Sequence, residues 1–164
     1  MTLAVYPGTF DPVTNGHLDI ALRASRLFEK VIIGVYRSPA KNILFTAEER
    51  VELLRQTIAG LPNVDNVEVE SFSGLVVEFV KKVRAQTIVR GLRVGADFER
   101  EFEMALMNKK LSPECELVCL MANLKYQFVS SSLLKEVANL GGSIDDLVPK
   151  PVAVALKKKF RGKV

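Results

Sequence analysis

"LAVYPGTFDPVTNGHLDIALRASRLFEKVIIGVY", residues 3–36, reads as strand, loop, helix and strand in that order. Leu3 to Pro7 form a short apolar run, and turn-forming residues follow as far as Gly16. Leu18, Ile20, Ala21, Leu22, Leu27 and Phe28 then recur at mostly helical spacing, and "KVIIGVY" is a second apolar strand.

The alternation continues outward. Thr46 and Glu49 make a T-x-x-E capping box for a helix carrying Val51, Leu54 and Ile58. "NVEVESF" alternates as a third strand, and residues 75–83 are helical. "QTIVRG" is a fourth strand. Asp97 stands where it would cap a helix whose Phe98, Phe102, Ala105 and Leu106 share a face. "CELVCLM" is the fifth strand, followed by a helix after a serine run. Gly141 and Gly142 stop that helix, "SIDD" offers a second cap, and a last helix is expected over 151–160.

Strands alternating with helices imply one α/β domain over residues 1–164: a Rossmann-like, doubly wound sheet of five parallel strands with right-handed crossovers. The usual order, 3-2-1-4-5, sets the first and fourth strands side by side. Ligands in such sheets bind beyond the carboxyl ends, where the order reverses. The loops there are "GTFDPVTNGH" (8–17) and "RGLRVGAD" (90–97), the two most unusual stretches of the chain.

Composition narrows the class. The net charge of +4 comes from the C-terminus, where Lys157, Lys158, Lys159, Arg161 and Lys163 cluster. Removing those five from the 23 basic residues leaves 18 against 19 acidic ones, so no basic stripe runs through the body. The tail reads as the solvated end of a helix, and no nucleic-acid partner is expected. Hydrophobic residues make up 48% and mean hydropathy is +0.16, which favours an oligomer with a buried subunit interface. The longest run without a charge, residues 1–10, is too short for a membrane span. No basic flank precedes an apolar stretch, so a cytoplasmic location is expected. Cys115 and Cys119 sit about 13 Å apart along one strand, beyond disulfide reach, and read as reduced packing residues.

The first loop is neither a Walker P-loop nor a dinucleotide G-x-G-x-x-G turn. It sets Thr14-Asn15-Gly16-His17 at the start of a helix, whose free N–H groups and dipole attract anions. Gly16 leaves room for a phosphate to approach the backbone. His17, the chain's only histidine, would be held neutral by the same dipole.

T-x-G-H after a first strand resembles the nucleotidyltransferase superfamily. The longer "YPGTFDPVTNGH" resembles bacterial phosphopantetheine adenylyltransferases. "SPAK", "FTAEER", "VRGLRVGADFERE", "MNKKLSPE" and "VSSSLLKEV" follow in that family's order over nearly the whole chain. The resemblance implies transfer of the adenylyl group of ATP to 4′-phosphopantetheine, giving dephospho-coenzyme A and pyrophosphate, with Mg²⁺ and a homohexamer. It assigns transition-state stabilisation to His17, and acceptor contacts to Thr9, Lys41, Val76 and Arg90. To ATP it assigns Thr9, Phe10, His17, Gly91, Leu92, Arg93, Glu101 and the stretch Tyr126, Gln127, Phe128, Val129, Ser130, Ser131 and Ser132.

The residue types suit these assignments. A hydroxyl at Thr9 and the backbone N–H of Phe10 can bridge two phosphates. Lys41 is a mobile point charge, and arginines at a strand's carboxyl end fork onto phosphate. Glu101, Met104 and Asn108 form a helical stripe apart from the apolar one, expected to face the crevice. Three serines exceed the need of one N-cap. Many superfamily members carry threonine and a downstream arginine in this motif; here Lys135 is the only nearby cation. No acidic cluster is spaced to cage a metal, so Mg²⁺ would be carried mainly by the ATP phosphates. No Ser–His or Cys–His pair with an orienting acid appears, so direct transfer without a covalent intermediate is expected. Rival readings are a related nucleotidyltransferase using CTP or another acceptor, and a nucleotide-binding protein that turns nothing over.

Overall fold

The computed structural model describes residues 2–38, 42–62, 64–93 and 95–160, with residues 95–97 given as backbone. Five strands form one parallel sheet: β1 (Leu3–Gly8), β2 (Lys30–Tyr36), β3 (Val67–Phe72), β4 (Thr87–Leu92) and β5 (Glu116–Met121). Their order is β3-β2-β1-β4-β5, the order the alternation implies. β1 pairs with β2 from Leu3↔Lys30 to Gly8↔Val35 and with β4 at Ala4↔Thr87 and Val5↔Ile88. The reversal of strand order therefore falls between β1 and β4.

Six helices surround the sheet: α1 (Asn15–Leu27), α2 (Ala47–Ala59), α3 (Val76–Lys82), α4 (Gly95–Leu111), α5 (Ser131–Asn139) and α6 (Lys150–Phe160). Alternate strand residues enter opposite layers. Ala4, Tyr6, Val31, Ile33, Val35 and Val89 join a large cluster with Leu18, Ile20, Leu54, Leu134 and Leu156. Val5, Ile32 and Ile88 face a smaller one with Phe72, Phe79 and Val80. Burial on both faces explains why β1 and β2 read as continuous apolar runs. Gly91 lets α1 lie against β4, since a Cβ there would sit 2.9 Å from Ile20 Cγ1.

The local signals hold. Thr46 and Glu49 form the reciprocal box that opens α2, and Gly141, at φ +81°, follows the end of α5. Elsewhere the tertiary structure adds to these readings or corrects them. The apolar face of α4 is not packed: Phe98, Phe102 and Leu106 are each more than half exposed, while Glu101 and Asn108 are partly covered. A helical stripe records which residues cluster, not whether this chain covers them. The lysines that end α6 are solvated as expected, with Lys157 and Lys158 exposed, and they also form surface pairs, Lys157 with Asp145 and Lys159 with Glu49. Cys115 is buried and Cys119 exposed, both free, so only the former packs. The side chain of Asp97, with Arg161 and Lys163, lies outside the described residues.

Candidate active site

The loop after β1 turns on Thr14, the N-cap of α1. Its hydroxyl accepts the His17 N–H at 3.2 Å, and its own N–H donates to His17 Nδ1 at 3.1 Å. A ring nitrogen that accepts carries no proton, so the neutral imidazole holds its hydrogen on Nε2. Burial first, then the charges of Arg93 and Arg90, lower the His17 pKa to about 4. The sequence reading reached a neutral imidazole through the helix dipole; burial and two arginines are the causes the structure displays.

Phe10 adopts φ +49°, a left-handed conformation that costs a bulky residue about 1–2 kcal/mol. Its buried ring packs edge-on against Tyr6 at 5.4 Å and His17 at 5.1 Å, so only its backbone is available to a ligand. Gly16 serves packing, because a Cβ there would lie 3.2 Å from Tyr126 Cβ. The segment at Tyr126 thus closes directly over the start of α1.

At the end of β4, Arg90 makes a two-pronged ion pair with Glu101 of α4, Nε to Oε2 at 2.7 Å and Nη2 to Oε1 at 2.5 Å. Its Nη1 donates to the Pro7 carbonyl at 2.7 Å. Tyr6 lies buried nearby, and burial pushes its phenol well above its usual range. Arg93 Nη1 donates to the Val129 carbonyl at 2.8 Å, tying the β4 loop to the segment that precedes α5. Leu92 and Val129 are buried and offer a ligand only backbone, as does Gly91.

The three serines divide their work. Ser130 caps α5 by accepting the Leu133 N–H, Ser131 donates to the Pro12 carbonyl at 2.8 Å, and Ser132 is exposed. Tyr126 ends a single 3-10 turn, Leu124–Tyr126; it and Gln127 are half-buried, and Phe128 is exposed. Thr9 is partly buried within the loop, and Met104 of α4 is exposed. Val76 opens α3, well along the sheet from His17, packed on the smaller core. Lys41 lies outside the described residues.

Two site-forming residues escaped the sequence reading. Buried Asp11 accepts the Leu44 and Phe45 N–H groups, both at 2.9 Å, and pairs with Lys135 at 2.6 Å. Arg50 of α2 is fully buried. A charge at an apolar helix position was the available signal for Arg50; for Asp11 nothing local marked its partner 124 residues away.

Thr9 stands in the loop after β1, His17 in the first turn of α1, and Arg90 and Arg93 at the end of β4. Glu101 lies on Arg90, Val129 on Arg93 and Tyr126 against Gly16, so these residues gather around the β1–β4 reversal. Partly covered cations and helix N-termini favour phosphates there. Among the described residues no three Asp, Glu, His or Cys side chains converge as a metal site, and no helix is long and apolar enough to cross a membrane. A hollow of about 430 Å³ lies elsewhere, between Arg37, Glu48, Arg55 and Ser71; its Arg37 and Glu48 neutralise one another.

The chain is 55% identical over 158 residues to the phosphopantetheine adenylyltransferase of Dehalococcoides mccartyi, covering 96% of this chain and 98% of that one. It is 51% identical over 161 residues to that of Caldanaerobacter subterraneus, covering 98% and 99%. The chain belongs to the phosphopantetheine adenylyltransferase family. Residues 5–137 also match the broader cytidylyltransferase-like family, a span running from β1 into α5. A bifunctional NMN adenylyltransferase/ADP ribose pyrophosphatase from Francisella tularensis superposes with a TM-score of 0.74 at 17% identity. That match covers 99% of this chain and 50% of the longer one, and shows the shared fold. As a phosphopantetheine adenylyltransferase by family, the chain is a nucleotidyltransferase of coenzyme A biosynthesis.

Proposed function

We propose that the chain transfers the adenylyl group of ATP to the phosphate of 4′-phosphopantetheine by direct in-line attack. An acceptor phosphate oxygen bonds to the α-phosphorus as the bond to the β,γ-diphosphate breaks. Pyrophosphate leaves with that electron pair, and dephospho-coenzyme A remains. A phosphomonoester with a second pKa of about 6 is mostly dianionic near neutrality and needs no base. The supporting observation is the Thr14–His17 geometry, which leaves Nε2–H as a fixed neutral donor beside Arg90 and Arg93. Such a donor stabilises charge that develops on the α-phosphate without first being reorganised.

Arg90, Thr9, Lys41 and Val76 take the acceptor in this reading. Thr9 and His17 also meet ATP, together with Arg93, Glu101, the Phe10 N–H, Gly91, Leu92 and residues 126–132. Mg²⁺ arrives with the nucleotide, held mainly by phosphate and water, as its preference for octahedral oxygen coordination favours. The exposed apolar face of α4 supports burial between subunits of a homohexamer, and the protein works in the cytoplasm.

The test is pyrophosphate release with ATP or CTP against 4′-phosphopantetheine and other phosphate acceptors. ATP with 4′-phosphopantetheine should be fastest by at least about tenfold. Equal rates with CTP, or a faster acceptor, would refute the assignment.

A further inference from the structure

Arg50 is a buried cation that the transfer chemistry leaves unexplained. Its Nε donates to the carbonyls of Phe45 and Thr46, at 3.1 and 3.3 Å. Nη1 donates to those of Thr9 and Tyr36, at 2.7 and 2.8 Å, and Nη2 to that of Arg37 at 3.2 Å. Among the described residues it meets five carbonyls and no carboxylate. One planar fork therefore joins the loop after β1, the end of β2 and the start of α2. An apolar side chain would hold α2 on the sheet at lower desolvation cost; what it would lack is direction.

That direction bears on Phe10. In a trans peptide the carbonyl of one residue and the N–H of the next point opposite ways. Arg50 draws the Thr9 carbonyl inward, so the Phe10 N–H of the same peptide faces away from α2. The residue bearing that N–H sits at φ +49°, a conformation that persists only where its surroundings enforce it. The buried Phe10 ring enforces it from one side and the Arg50 hydrogen bond from the other.

We propose that Arg50 is a positioning residue for adenylyl transfer, orienting the Thr9–Phe10 peptide so that its N–H is aimed at a phosphate oxygen before substrate arrives. The inference rests on the function proposed above. Because a fixed donor stabilises charge that develops in the transition state, its misalignment lowers kcat more than it raises KM.

The experiment compares the parent, Arg50→Lys and Arg50→Gln with Leu54→Ala, a buried change on the same helix away from the loop. Melting and size are measured alongside pyrophosphate release from ATP and 4′-phosphopantetheine. Arg50→Lys keeps the charge and loses the fork. It is expected to lose at least about twentyfold in kcat with each KM within about threefold, and Leu54→Ala to lose stability with kcat within about twofold. An Arg50→Lys that keeps kcat, or a Leu54→Ala that loses it equally, overturns the proposal. So does failure of both arginine variants to fold, which would make Arg50 a requirement of the fold itself. A parent that does not turn over these substrates refutes the function as well, which separates the two failures.

Discussion

The backbone N–H of Thr14 donates to Nδ1 of His17 at 3.1 Å, while the Thr14 hydroxyl accepts the His17 N–H at 3.2 Å. A histidine thereby takes the part that glutamate usually plays in a capping box. The helix cap and the tautomer of the imidazole are set by one threonine.

His17 should not titrate in the working range, since its pKa lies near 4. The acidic limb of the rate profile, near pH 6, then belongs to the acceptor phosphate. It should persist in His17→Asn at nearly the same pH, with kcat lower by roughly a hundredfold. A limb that disappears would show that the imidazole titrates in catalysis. Stability carries the matching signature. The folded pKa lies below the unfolded value of 6.5, so the unfolded chain binds more protons between those values. The parent should lose stability as pH falls from about 6.5 to about 4, more steeply than His17→Asn in urea unfolding.

Arg90 and Glu101 should be coupled in a double-mutant cycle. Removing either leaves a largely covered charge without its partner, and the coupling is expected at ~1.5–3 kcal/mol in denaturant unfolding. Arg90→Ala should also weaken 4′-phosphopantetheine roughly tenfold or more, with a smaller effect on ATP. Titration calorimetry with each substrate alone reads this, and equal losses would contradict the acceptor assignment.

Asp11→Ala should cost more than Lys135→Met. The first strands two backbone N–H groups and a partly buried ammonium, worth ~3–5 kcal/mol. The second leaves Asp11 with both N–H donors. Unfolding midpoints in the reverse order would show that Lys135 is the anchor of the pair.

Lys159→Ala should cost only ~0.2–1 kcal/mol, since the Lys159–Glu49 pair is partly solvated. The Lys159 hydrogen bond holds the Glu49 carboxyl below its ordinary 4.5. The pair's contribution is therefore present above about pH 4.5 and fades as pH falls through the lowered value. Unfolding of the two proteins should converge in acid and differ at pH 7; an equal difference at both pH values would assign the loss to the Phe45 ring, over which Lys159 Nζ lies 5.3 Å from the centroid.

Much of the architecture was legible along the chain because its signals are local. Strand and helix periods repeat within a few residues, the Thr46–Glu49 cap closes over three positions, and short right-handed connections leave few orders for five parallel strands. T-N-G-H before a helical pattern likewise marked His17 without a partner being known. Pairing was not legible. Glu101 and Arg90 were read as contacts of separate substrates, yet they hold each other. Gly16 was read as room for a phosphate, yet it accommodates Tyr126. Asp11 with Lys135, Ser131 with Pro12 and Arg50 with Thr9 meet only after the sheet has brought distant loops together. A period or a cap is encoded by the energetics of neighbouring residues, whereas the partner of a buried polar group depends on which segments share its space once the core is packed. The sequence by itself determined the layers and the position of the histidine; the tertiary structure decided which buried charges and polar groups engage one another.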